Sequence, residues 1–168
     1  APPRLCGEKS ALEQTVNPFD EARRVLEDHV DGLDSDEGMS RCVELLHQVN
    51  GALMVAQAHG AAMLADELEQ VARGLADGSI ARHDEAAEVL MLGMVQLPGY
   101  LERVESGQPD IPLILMPLLN DLRAARDAPL VSEISLFAPK LDQLIASEQV
   151  QPGSGNAQLP EQIRQTLS

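Results

Sequence analysis

Apolar residues recur at three- and four-residue spacing along most of this chain, a pattern typical of amphipathic helices. The clearest case lies between residues 42 and 60. At about 100° of turn per residue, one stripe collects six apolar side chains: Cys42, Leu45, Leu46, Val49, Leu53 and Ala56. His47 falls on the opposite side of the same helix. The pattern therefore predicts a helix that buries the stripe and turns His47 towards water.

The same periodicity and its breaks predict five helices, over residues 17–30, 34–58, 61–76, 83–105 and 112–126. Asn17 and Pro18 form the first helix start, as an N-cap followed by a proline in the first turn. His59 is expected to cap the corner after the second helix. Pro98 is expected to kink or interrupt the fourth helix near residue 96, and Pro117 to bend the fifth.

This order of elements predicts an all-α fold, an antiparallel four-helix bundle with additional flanking helices. The predicted organisation is a lead-in over 1–16, the bundle over 17–128, and a C-terminal extension and linker over 129–168. Within the extension, residues 129–136 are interpreted as an extended segment that packs on the bundle, and residues 159–167 as a short terminal helix. Apolar residues make up 44%, with no Trp, one Tyr and two Phe, which favours a core of aliphatic side chains.

Charge excludes one class of partner. The chain carries 27 acidic and 12 basic residues, a net charge of −15, so it lacks the clustered cations that nucleic acids require. No apolar run reaches the length of a membrane span, and we expect no membrane insertion. Two cysteines are too few for a disulfide framework, which favours a cytoplasmic setting. Residue 1 is not Met, and we expect a fragment of a longer chain.

The sequence shows no pattern typical of a metal site, a nucleotide-binding site or a nucleophilic catalytic site. His47 and His59 are too far apart along one helix to share an ion, and we expect no metal site. No Gly-rich phosphate loop or nucleophile elbow occurs, so we expect no cofactor in this chain. The acidic residues Asp66, Glu67 and Glu69 are interpreted as a solvated helix surface.

His47 remains the candidate functional residue. Its neighbours one helical turn away are Val43, Asn50, Gly51 and Met54. A glycine inside a helix costs roughly 1 kcal/mol relative to alanine, and its missing side chain leaves the imidazole open to a partner. An imidazole nitrogen is a competent nucleophile at neutral pH. His47 is therefore either a phosphoryl acceptor or an exposed histidine without a function.

The segment His47-Gln-Val-Asn50-Gly51 resembles the His-x-x-Lys-Gly pattern of histidine phosphotransfer (Hpt) domains. With segments 47–70, 88–126 and 130–141, it is similar to the N-terminal Hpt-like domain of ChpA/PilL-type hybrid sensor histidine kinases. Those kinases belong to the chemosensory system of type IV pilus twitching motility, and FimL-related proteins share the region. The resemblance covers roughly residues 18–141. It places the family's phosphoacceptor on His47, its glycine on Gly51 and its lysine on Asn50, which carries no charge.

The resemblance implies a histidine phosphotransfer domain that exchanges a phosphoryl group between His47 and receiver domains of response regulators. ATP and Mg²⁺ would then belong to other domains of the parent kinase. The alternative that it implies is a degenerate, non-phosphorylated scaffold domain that binds a pilus or chemosensory regulatory protein. Without an ATP site of its own, the fragment would not be a kinase by itself, whereas the parent chain that it resembles is a histidine kinase.

Overall fold

The computed structural model describes residues 6–33, 36–134 and 136, with side chains from residue 15 onward except at residue 36. Its helices are α1 (Cys6–Val30), α2 (Asp36–Val55), α3 (His59–Ala76), α4 (His83–Glu105) and α5 (Met116–Ala125), with a 3-10 turn at Pro112–Leu115 before α5. No strand occurs among these residues. The predicted all-α class is confirmed.

The first four helices form an antiparallel four-helix bundle. Helix α1 packs on α2, α2 on α3 and α3 on α4, while α4 returns to contact α1. Helices α2 and α4 therefore lie diagonally across the bundle. The core is aliphatic and includes the fully buried Leu26, Leu45, Leu46, Leu64, Leu68, Leu90, Met94 and Leu97. Helix α5 packs against α3 and α4 as a flanking helix, as predicted.

The predicted start of the first helix at Asn17 is wrong. Helix α1 begins at Cys6 and continues through Pro18, although an internal proline removes a hydrogen bond and costs about 3 kcal/mol. Thr15 is buried one turn before Phe19, and Ala22 and Leu26 continue the same stripe. The buried face thus extends beyond the proline and offsets its cost.

The corner between α2 and α3 also differs from the prediction. It lies at residues 56–58, where Gln57 has a φ of 58°. The Ala58 N–H donates to the Leu53 carbonyl at 3.0 Å and the Gln57 N–H to the Met54 carbonyl at 3.1 Å, which together form a Schellman cap. His59 is the first residue of α3, so the expected capping role of His59 is wrong.

Two further expectations about prolines have different outcomes. Helix α4 runs unbroken through Pro98, because Leu97 and Tyr100 are buried on either side of it; the expected interruption is wrong. Pro117 instead lies in the first turn of α5, where its missing N–H costs little. The helix predicted over 112–126 is therefore a 3-10 turn followed by an α-helix.

The C-terminal extension is described only to residue 136. The Asn120 side chain holds Val131 through both of its backbone groups, at 2.7 and 3.2 Å. The Leu136 N–H donates to the Ser132 carbonyl at 3.2 Å, and residues 133–134 are helical. The prediction of an extended segment over 129–136 is therefore wrong at its C-terminal end. The predicted linker and terminal helix, over 152–167, lie outside the described residues. None of the described helices combines the length and hydropathy needed to cross a membrane.

Candidate functional site

The α2 helix presents His47 to solvent as its sequence pattern predicts. All six stripe residues, from Cys42 to Ala56, are buried in the core, and the Cys42 thiol donates to the Ala22 carbonyl at 3.6 Å. The His47 side chain, on the opposite side of the helix, is 75% exposed. The predicted exposure of the imidazole on the bundle flank is confirmed.

The four neighbours of His47 make an open surface, which we call the His47 face: Val43, His47, Asn50, Gly51 and Met54. Val43 and Asn50 are half-buried and Gly51 is exposed. Met54 is 64% exposed, so an apolar side chain lies beside the imidazole on the solvent side. A methyl group added to Gly51 would meet no atom within 4 Å. The fold therefore does not require glycine at residue 51.

A buried carboxylate from α3 holds the imidazole from beneath. His47 Nδ1 lies 3.1 Å from Glu69 Oε2 and 3.3 Å from Oε1, and the Glu69 side chain is only 4% exposed. An ionised carboxylate accepts hydrogen bonds and cannot donate them. With Glu69 ionised, the contact places a proton on Nδ1, and in a neutral imidazole the Nε2 lone pair then lies on the ring edge away from Glu69.

Arg73 completes this cluster one helical turn after Glu69. Its Nη2 donates to Glu69 Oε1 at 2.5 Å, and its side chain is 53% exposed. A glutamate four residues before an arginine is a favourable helix pair. The buried Glu69 carboxylate therefore contacts both the exposed guanidinium of Arg73 and the exposed imidazole of His47, and it holds these two groups side by side.

Glu67 and Glu69 correct the interpretation of a solvated acidic surface on α3, since both are buried and only Asp66 is exposed. Glu67 accepts from Arg123 Nε at 2.7 Å and from Arg126 Nη2 at 2.6 Å. The spacing of Glu69 and Arg73 is a signal that sequence reasoning could have used. The partners of Glu67 come from α5 and the residue that follows it, more than fifty residues later, and no local pattern reveals them.

A cavity of about 270 Å³ lies elsewhere on α3, away from the His47 face. It is lined by Met63, Asp66, Glu67, Leu119, Arg123, Val131 and Leu136. Partial desolvation of its carboxyl beside this cavity, followed by the nearby carboxylates of Glu67 and Glu69, raises the pKa of Asp66 above its ordinary value. Within the described residues, no three His, Cys, Asp or Glu side chains lie close enough together to hold a metal ion.

Comparison with known proteins gives one informative similarity. The chain is 30% identical over 124 residues to the scaffold protein FimL of Pseudomonas aeruginosa. The aligned region covers 74% of this chain but only 22% of the relative, so the chain spans about a fifth of that protein's length. No protein-family profile matches the chain. No solved structure matches it either.

Proposed function

We propose that this chain is a helical interaction domain of a signalling scaffold, and that a regulatory partner docks on the His47 face. The observation that carries the proposal is the similarity, over 74% of the chain, to a protein that is named a scaffold. In this proposal the domain acts in the cytoplasm, and its partner is a regulator of type IV pilus or chemosensory signalling, such as a receiver domain.

The geometry of the face supports docking. Met54 offers an exposed thioether, a flexible apolar contact suited to partner surfaces. Gly51 leaves the helix backbone open beside the imidazole, where the fold itself needs no glycine. A glycine inside a helix lowers the stability of that helix. Because the fold gives no reason for glycine at this residue, we attribute it to the close approach of a partner.

A second function, phosphoryl transfer through His47, is favoured by the contact with Glu69. With its proton on Nδ1, the imidazole can attack phosphorus through the Nε2 lone pair. In transfer from an aspartyl phosphate, the Nε2–P bond forms, the P–O bond to the aspartate breaks, and the carboxylate leaves with that electron pair. The imidazole retains its Nδ1 proton and becomes cationic, and the Glu69 carboxylate stabilises this charge.

One experiment distinguishes these functions. The protein is incubated with each phosphorylated receiver domain of its source organism, and complex formation and acid-labile phosphate on the protein are both measured. Binding without transfer is expected for a scaffold. Phosphate that is gained by wild type and lost in His47→Gln would establish transfer. If no receiver domain binds and none transfers phosphate, the proposed partner class is wrong.

A matched pair of variants localises the docking surface in the same assay. Met54 and Val95 are similarly exposed, at 64% and 61%, but lie on diagonal helices. Met54→Glu is expected to weaken binding about tenfold, as for an interface residue worth more than 1 kcal/mol, while Val95→Glu leaves binding unchanged. Equal effects of the two substitutions would contradict docking on the His47 face.

A further inference from the structure

We infer that Arg73 is the anion-recognising residue of the His47 face, and that the docking partner presents a phosphoryl or carboxylate group there. This inference deepens the proposed function and rests on docking at that face. The positive charge beside His47 then comes from α3, because the neighbouring residues on α2 carry none.

The position of Arg73 is fixed by the buried carboxylate of Glu69. Arg73 Nη2 and His47 Nδ1 both contact Glu69 Oε1, at 2.5 and 3.3 Å, so the guanidinium is held beside the imidazole. One of its five N–H groups is directed at Glu69 in this contact. Because the side chain is 53% exposed, the guanidinium can also donate to an anion that approaches His47.

Arg73 offers an anionic partner group a cationic contact beside His47. Asn50 is an amide, and Glu44, one turn before His47, is paired with Arg41 at 3.2 Å. Arg73 is thus a cation that Glu69 holds beside the imidazole, on a chain whose net charge is −15. An arginine can bind a phosphate or carboxylate through two parallel hydrogen bonds, and neither Asn50 nor neutral His47 offers that fork.

The test uses phosphoramidate as an anionic phosphoryl donor and follows phosphorylation of His47 by ³¹P NMR. In this reaction the Nε2–P bond forms, the P–N bond breaks, and ammonia leaves with a proton from solvent. Arg73→Gln is expected to slow the reaction about 3- to 10-fold, in the range of an exposed charge-assisted contact. Arg73→Lys keeps the charge without the fork and should slow it about 2-fold.

A rescue variant separates anion recognition from a merely structural pairing with Glu69. Asn50→Lys, added to Arg73→Gln, returns a positive charge to the other side of His47 and is expected to restore the rate. Arg103→Gln, at an exposed arginine on α4, is the control and should react as wild type does. If Arg73 serves only to neutralise Glu69, Asn50→Lys will not rescue the loss, and the inference is overturned.

Failure of this inference is distinguishable from failure of the proposed function. A wild type that gains no phosphate from phosphoramidate, or an Arg73→Gln variant that reacts at the wild-type rate, overturns the role of Arg73. Neither result bears on docking, which the receiver-domain assay measures separately. Conversely, the phosphorylation rate could depend on Arg73 while no receiver domain binds. That result would support the anion site and refute the proposed class of partner.

Discussion

Replacing Gly60 with alanine is expected to lower the free energy of unfolding by about 2 kcal/mol, through steric overlap and a lost helix cap. The Gly60 N–H, in the first turn of α3, donates to both carboxylate oxygens of Asp110, at 3.1 and 3.0 Å. The Tyr100 hydroxyl also donates to Asp110. A methyl group on Gly60 would overlap both the carboxylate and the hydroxyl.

The surroundings leave these groups little room to move. Tyr100 is buried, and burial, followed by the hydrogen bond to Asp110, raises the pKa of its hydroxyl above the ordinary value. Moving Asp110 aside would leave the buried hydroxyl and the N–H of α3 without their acceptor. The contact also ties the segment after α4 to the start of α3, so its loss should loosen that end of the bundle.

Urea unfolding measures this effect, and Gly51→Ala is the matched control. Both glycines lie within helices, but a methyl group on Gly51 meets nothing within 4 Å. Gly51→Ala should therefore stabilise the protein by about 0.5–1 kcal/mol. Opposite signs at the two glycines are expected; a Gly60→Ala variant as stable as wild type would contradict the packing described here.

Replacing Glu67 with glutamine is expected to lower the free energy of unfolding by about 2–4 kcal/mol, since it leaves two arginines without their shared counterion. The Glu67 carboxylate is buried and accepts from Arg123 and Arg126 at 2.7 and 2.6 Å. These arginines are 29% and 24% exposed, so water compensates part of the loss and the lower half of that range is favoured.

An exposed pair provides the comparison for Glu67. Glu85 contacts Arg82 at 2.8 Å, but its side chain is 63% exposed. Glu85→Gln should change stability by less than about 0.5 kcal/mol. Thermal unfolding of the two variants measures the difference. If the two variants lose equally little stability, the burial of Glu67 does not contribute to stability, and apolar residues alone hold α5 against α3.

The bundle and the exposed face of α2 could be predicted because helical periodicity records which residues are buried. Cys42 and Leu53 share one stripe, and His47 must then lie opposite them. Proline rules were less reliable. Pro18 and Pro98 are both accommodated within helices, because buried residues on each side stabilise the continuous helix more than one missing hydrogen bond weakens it.

The support beneath His47 could not be predicted in full, since it depends on how α3 packs against α2. Glu69 belongs to a run of acidic residues that has the composition of a solvated surface. Its burial follows from tertiary contacts, and these give it an imidazole partner from another helix. Glu67 and Glu69 can be buried because each carboxylate is paired with a cation. Some of these cations come from distant parts of the chain, so the pattern of one helix does not reveal them.

The central claim is that a partner docks on the His47 face, and NMR mapping tests it most directly. The ¹⁵N-labelled protein is titrated with an unlabelled receiver domain from its source organism, and amide shift changes are recorded. We predict that the changes cluster at His47, Gly51 and Met54 on α2 and at Arg73 on α3. Changes confined to Leu92 and Val95, on the exposed side of α4, would contradict the claim.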